Sequence, residues 1–179
     1  MRWEKLYREF ADKLGNQSAP DDQRPLVLID SNEQRLHLVS STANASRSYA
    51  ISTALNGMGN QNNSFMTPLG LHRICEKIGA DEPSGMIFEA RVATGRIAEN
   101  LDNRERDEIT SRILWLDGLE DGINRNGDCD TQARYIYIHG TTDERRIGEP
   151  VSAGCVRMTN ADVIDFFDRV KVDDLVLIR

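Results

Sequence analysis

Apolar positions along the chain follow two periods. At the start, Trp3, Leu6, Tyr7, Phe10 and Leu14 recur at steps of three and four, which puts them on one face of a short helix that Gly15 would end. That face predicts packing against the rest of the chain or docking to a partner. A polar, proline-bearing stretch, NQSAPDDQRP, comes next. Residues 1–24 therefore read as a helix and linker, and the main domain, 25–179, begins near Pro25.

Beyond Pro25 the runs become short and apolar or alternating, as half-buried strands require. They are LVLID (26–30), QRLHLVS (34–40), RSYAIS (47–52), GMIFEARV (85–92), SRILWL (111–116), RYIYIH (134–139) and DLVLIR (174–179). Ser31-Asn32 predicts a hairpin turn between the first two, and Ile74-Cys75 lies on a further expected strand. SRILWL is short enough to fit a helix as well. One helix is clear. Asn160 is expected to cap ADVIDFFDRV, Asp162 sits in the first turn, and Val163, Ile164, Phe167 and Val170 share a face. The fold class expected is mainly β with flanking helices, in a single domain.

Composition narrows the function. With 179 residues, 39% hydrophobic and 28% charged, the chain can build one core and a small appendage. A net charge of -7 with no basic run argues against a nucleic-acid partner, whose phosphates demand clustered Lys and Arg. No stretch reaches the roughly 20 apolar residues of a membrane helix. The opening MRWEKLYREFADKL is too charged for the core of an export signal, which predicts a cytoplasmic protein, or a periplasmic one if a signal has been removed. Cys75, Cys129 and Cys155 form an odd set without CxxC or Cys/His spacing, so neither a disulfide framework nor a zinc site is expected. The acidic, Gly-rich DGLEDGINRNGDCDT (117–131) fails as a calcium loop: aligning Gly127 with the loop glycine puts Gly122 and Ala133 where ligands belong. It reads as a flexible loop with an exposed, oxidisable Cys129. No cofactor or metal is expected. His37, between Leu36 and Leu38, is expected to face solvent, Met66 to pack, and Cys75 to be a small buried apolar residue.

Chemistry concentrates in RYIYIHGTTDERRIGEPVSAGCVRMTN (134–160). A strand delivers His139, and Gly140 would let the chain turn and leave the imidazole at an edge. Cys155 precedes the helix, where the helix N-terminus and the Arg157 cation are expected to favour its thiolate. An imidazole in reach would complete the activation, and Gly154 would let backbone N–H groups point at an oxyanion. Taken alone, a Cys and a His sixteen positions apart do not separate a catalytic pair from a buried thiol and a structural histidine.

The wider pattern does more. IHGT, then SxGCVRM, then Asn-x-Asp resembles the active-site signature of the L,D-transpeptidase catalytic family, also called the YkuD domain. Upstream, QRLHLV, YAISTALNG, TPLGLHRI and RYIYIHGT resemble the family's successive segments, and the likeness covers about residues 25–179. It implies a β-sandwich-like fold in which a cysteine attacks the carbonyl between meso-diaminopimelate and the terminal D-alanine of a stem tetrapeptide, forming a thioester. By position Cys155 is the implied nucleophile, His139 the base, and Arg157 the cation facing a substrate carboxylate, with Ser152 and Gly154 shaping the oxyanion site. Ala153, Gly140, Thr67, His72 and Tyr49 are implied near the groove, and His72 could equally be structural. Many members carry a second histidine where this chain has Ala153. That loss and the lack of an export signal shift the expected acceptor from an amine toward water. The expected activity is an L,D-carboxypeptidase trimming recycled muropeptides. The alternatives are transpeptidation or D-amino-acid exchange, and a non-catalytic peptide-binding module. The oligomeric state is left open, since the N-terminal helix could dimerise or cover a sheet edge.

Overall fold

The computed structural model describes residues 25–39, 45–102 and 107–179, with the backbone alone at 45 and 46. The N-terminal helix and linker expected over 1–24 lie outside these residues, as do positions 40–44 and 103–106. Ten strands form one continuous curled sheet: β1 Leu26–Asp30, β2 Arg35–Val39, β3 Ala45–Ala50, β4 Gly70–Ile78, β5 Met86–Glu89, β6 Val92–Ile97, β7 Ile109–Gly118, β8 Tyr137–Thr141, β9 Val156–Met158 and β10 Leu175–Ile178. A single α-helix, α1 (Asn160–Arg169), is found among the described residues. None of their helices is long and apolar enough to cross a membrane.

The first two hydrophobic runs form the expected hairpin, with Leu28 opposite His37. β1 then pairs in parallel with β10, the last strand, and the sheet continues through β4 to β7. SRILWL is strand rather than helix, because it is the middle of the ten-residue β7. This strand is the hub. One edge pairs with β4 from Ile113 and with β5 at Ile109 and Thr110, while the other edge carries β8. The change falls at Ser111, whose φ of 62° and register shift mark a bulge.

Several expectations are revised. GMIFEARV is not one strand. It turns at Ala90-Arg91, so its last residue, Val92, opens β6, which returns to pair with β5. β8 starts at Tyr137 rather than 134, because Tyr135 adopts a φ of 56° that breaks the extended run. β9, with three residues, is too short to show a period in the sequence. His37 is buried at 4% exposure, its Nδ1 2.6 Å from Ser48 Oγ, because both faces of β2 are covered.

The helix is capped by Thr159, whose side chain accepts from Asp162 N–H, and not by Asn160. Asn160 is used elsewhere. Its Oδ1 accepts from Thr110 Oγ1 (2.7 Å) and Ser111 Oγ, and its Nδ2 donates to Thr141 O (3.1 Å) and Glu144 Oε1 (2.7 Å). It therefore ties β7 and β8 to the helix start. At the other end Lys77 Nζ donates to Phe167 O and Val170 O, satisfying carbonyls that a helix C-terminus leaves open. Val163, Phe166, Phe167 and Val170 pack with Ile138, Val156 and Met158 in the main core. Each such buried side chain contributes on the order of 2 kcal/mol.

Candidate active site

The site is built on the other face of the β8–β9 pair. The strands run parallel, with Ile138 beside Val156 and His139 beside Arg157. Alternation sends Ile138, Val156 and Met158 into the core under α1, so Tyr137, His139, Cys155 and Arg157 share the opposite face. Helix and thiol thus lie on opposite sides of the pair, and the helix start is not what faces the sulfur.

The turn before β9 presents Cys155. Gly154 has a φ of 131°, a backbone conformation open to glycine. Ser152 Oγ donates to Cys155 O (2.5 Å) and accepts from Gly154 N–H (3.2 Å), closing a tight turn. Gly154 N–H is therefore committed inside the turn and does not point at a reacting oxygen, contrary to expectation. Thr67 braces the same turn by donating to Gly154 O (2.9 Å), and it accepts from Ala54 N–H. Being fully buried, Thr67 is a strut and does not line a groove.

His139 is 2% exposed, so it is not left at an edge. Gly140 does not turn the chain; it continues β8, and its role is close approach. A Cβ there would lie 2.6 Å from Thr110 O and 2.9 Å from Asn160 Oδ1. Its carbonyl matters too. His139 Nδ1 is 2.7 Å from Gly140 O, and a carbonyl only accepts, so Nδ1 carries the proton and Nε2 keeps its lone pair. Burial lowers the His139 pKa, against the opposing pull of Asp107 and of the Gly140 carbonyl, so the imidazole is neutral at pH 7.

The thiol is neutral as well. Burial pushes the Cys155 pKa up to about 11, and Asp107 raises it further, while the Tyr137 N–H at 3.3 Å, Arg157 and Arg134 pull it down. The expected thiolate is not the resting form, because desolvation outweighs the cations. No hydrogen bond joins His139 to Sγ, whose contacts are Tyr137 N–H and Tyr135 O (3.5 Å). Free active sites commonly hold such pairs apart until substrate arrives.

Arg157 departs furthest from its expected part. Its side chain is 6% exposed. Nη2 lies 2.5 Å from Asp107 Oδ2 and Nη1 lies 3.8 Å from Asp143 Oδ2, and Asp107 is itself held by Thr141 Oγ1 at 2.8 Å. A guanidinium so enclosed and neutralised is a structural charge, not one offered to an incoming carboxylate.

The structure also separates two other expected site residues from Cys155. His72 is fully buried between Gly70 O (3.0 Å) and Thr131 Oγ1 (3.1 Å), and burial lowers its pKa to about 4. Tyr49 is a core residue whose hydroxyl donates to Asp165 Oδ2 (2.6 Å). Neither is presented to a ligand.

Ala153 is exposed and does line a cavity of about 140 Å³, together with Asn62, Asn63, Phe65, Arg134 and Ile136. Arg134 was missed from sequence, where it is only the polar start of an apolar run. Its guanidinium donates to Gly59 O (3.2 Å), Asn60 O (3.0 Å) and Met66 O (2.6 Å), which fixes the 59–66 loop as the cavity wall. Cys75 and Cys129, both half-buried, lie on β4 and in the 127–129 turn, and neither joins this site. Among the described residues no cluster of His, Cys, Asp or Glu could hold a metal.

A half-buried cysteine and a tautomer-fixed histidine thus share one face of paired strands. The chain belongs to the L,D-transpeptidase catalytic domain family (YkuD), which it matches over residues 24–178. It is 44% identical over 48 residues to a protein of Bacillus subtilis (strain 168) described as putative L,D-transpeptidase YqjB, a match covering 27% of each chain. An L,D-transpeptidase from Mycobacterium smegmatis shares the fold, with a TM-score of 0.55 and 16% identity over 87% of this chain and 58% of the other. L,D-transpeptidase 3 from Mycobacterium tuberculosis, in complex with a faropenem-derived adduct, gives 0.52 and 12% over 87% and 60%. This chain therefore spans less than two thirds of the length of these relatives.

Proposed function

We propose that this domain is a cysteine-nucleophile acyl-transfer enzyme of peptidoglycan stem peptides, and that its reaction is L,D-carboxypeptidase cleavage of the terminal D-alanine from a tetrapeptide. The observation that carries the reading is the placement of Cys155 and His139 on one face of adjacent strands, with the His139 Nε2 lone pair fixed by the Gly140 carbonyl. Sγ attacks the carbonyl of the L-centre of diaminopimelate as its proton passes to Nε2. Collapse of the tetrahedral intermediate breaks the C–N bond, and His139 returns that proton to the leaving amine of D-alanine. A thioester remains. Water then attacks it, giving its proton to Nε2, and the thiol leaves with that proton restored.

Water is favoured as acceptor because Ala153 offers a methyl, beside a small cavity, where many relatives carry an imidazole. Amine exchange is supported by a different feature: Asn62 and Asn63 line the same cavity and could hold the carboxylate of an incoming D-amino acid. Incubation with a disaccharide-tetrapeptide, with and without excess D-methionine, separates the two by mass. Loss of one alanine in both samples is the expected result, and incorporation of methionine would reassign the acceptor. If the wild type behaves like Cys155→Ala in both, the domain is a binding module. Since structures of similar fold hold imipenem or a faropenem-derived adduct, a carbapenem adduct at Cys155 is also expected by mass spectrometry.

A further inference from the structure

With Arg157 neutralised, another cation must meet the anionic peptide. Arg134 spends both of its terminal nitrogens on carbonyls of the 59–66 loop. Arg91 does not. It sits at the tip of the β5–β6 hairpin, where Glu89 pairs with Val92 and the two-residue turn is Ala90-Arg91, with φ values of 46° and 69°. Turns of this kind favour Asn-Gly or Gly-Gly, and neither residue here has their freedom in the left-handed region. The strained turn delivers the guanidinium onto an aromatic shelf. Its carbon lies 4.6 Å from the Trp115 ring centroid and 5.2 Å from that of Tyr135, and the two rings stack at 5.7 Å.

The shelf is joined to the nucleophile. Arg91 Nη1 donates to Tyr137 Oη (2.9 Å), the Tyr137 N–H donates to Cys155 Sγ, and the Tyr135 carbonyl faces the same sulfur. A single residue thus spans from cation to thiol. Of the five N–H donors of its guanidinium, Arg91 uses one within the described residues, and no carboxylate among them lies in ion-pair reach. Stacking fixes the plane of the group and leaves its edge free, which is the geometry for a two-pronged bond to a carboxylate.

We propose that Arg91 receives either the terminal or the diaminopimelate side-chain carboxylate of the peptide acyl donor, the part that the family resemblance implies for Arg157. The inference rests on the stem-peptide reading above. Its test uses calorimetry in the Cys155→Ala background, where peptide stays intact, with three tetrapeptides: all carboxylates free, the terminal one amidated, and the diaminopimelate side-chain one amidated. Arg91→Gln is expected to weaken binding of the free peptide roughly tenfold or more, with Arg91→Lys between. The penalty should vanish for one of the two amidated peptides, and that peptide names the carboxylate. An equal penalty on all three, or none, overturns the inference, provided that alkylation of Cys155 by iodoacetamide in the Arg91→Gln single variant matches wild type and so reports an intact site. An altered alkylation rate also overturns it, since Arg91 would then be supporting the shelf. Wild-type turnover is scored separately. Cleavage without an Arg91 effect sinks only the inference, Arg91-dependent binding without cleavage sinks only the catalytic reading, and absence of both sinks the two together.

Discussion

The two faces of the β8–β9 pair carry opposite chemistry on one backbone. Toward α1, Ile138, Val156 and Met158 are fully buried against Val163 and Phe166, and every local preference agrees with the packing. Toward the site, the same strands and the turn before β9 hold a buried histidine, a buried arginine and a half-buried thiol. There Arg157 Nε and Nη1 and Asp143 Oδ1 lack hydrogen-bond partners among the described residues. One face holds the strands in register, and the other holds polar groups in positions they would not choose in water. Such concentrated cost persists only where the rest of the structure fixes it.

Removing the nucleophile should break the comparison most sharply. Cys155→Ala is expected to lower peptide cleavage by roughly a thousandfold or more, while thermal stability changes little, because the half-buried thiol contributes little packing. Activity and melting temperature measured on one preparation check both halves. Arg157→Met should do the reverse. It strips Asp107 of its close partner, while Asp143 keeps its pairing with Arg146, and should destabilise by about 3 kcal/mol in urea titration. A loss of peptide binding with unchanged stability would instead return Arg157 to the substrate.

The third prediction concerns pH. His72, and in the same direction His139, have pKa values depressed by burial, so the unfolded chain binds their protons more readily. The stability they contribute is complete above about pH 6.5 and is lost as pH falls, for His72 toward 4. For His72 the loss is on the order of 3 kcal/mol, and His72→Asn should flatten the urea midpoint between pH 6.5 and 4. The smallest change sharpens the core face. Gly140→Ala puts a methyl against Thr110 O and Asn160 Oδ1, and should cost about 2 kcal/mol.

Much of this was readable before any coordinates. Strand runs such as LVLID and DLVLIR announce themselves because both faces are buried, although nothing local says that they pair with each other in parallel. The motif points to Cys155 and His139, which the structure brings to one face of the β8–β9 pair. What sequence could not carry is depth. Arg157 reads as an available cation until Asp107 and Asp143, fifty and fourteen positions away, are found against it. Cys155 reads as a thiolate for the same reason: its helix and arginine are visible in the sequence, and the burial that outweighs them is not. Arg91 carries no motif at all, since its position depends on a hairpin formed within what looks like one strand.

The central claim is that the free site pairs a protonated thiol with a neutral imidazole. The direct measurement is the rate of Cys155 alkylation by iodoacetamide from pH 6 to 11 in a Cys75→Ser, Cys129→Ser background. With the thiol pKa near 11, the rate should climb about tenfold per unit from pH 7 and begin to level only near 11. A plateau already reached by pH 7 would mean a preformed thiolate–imidazolium pair and would contradict the account.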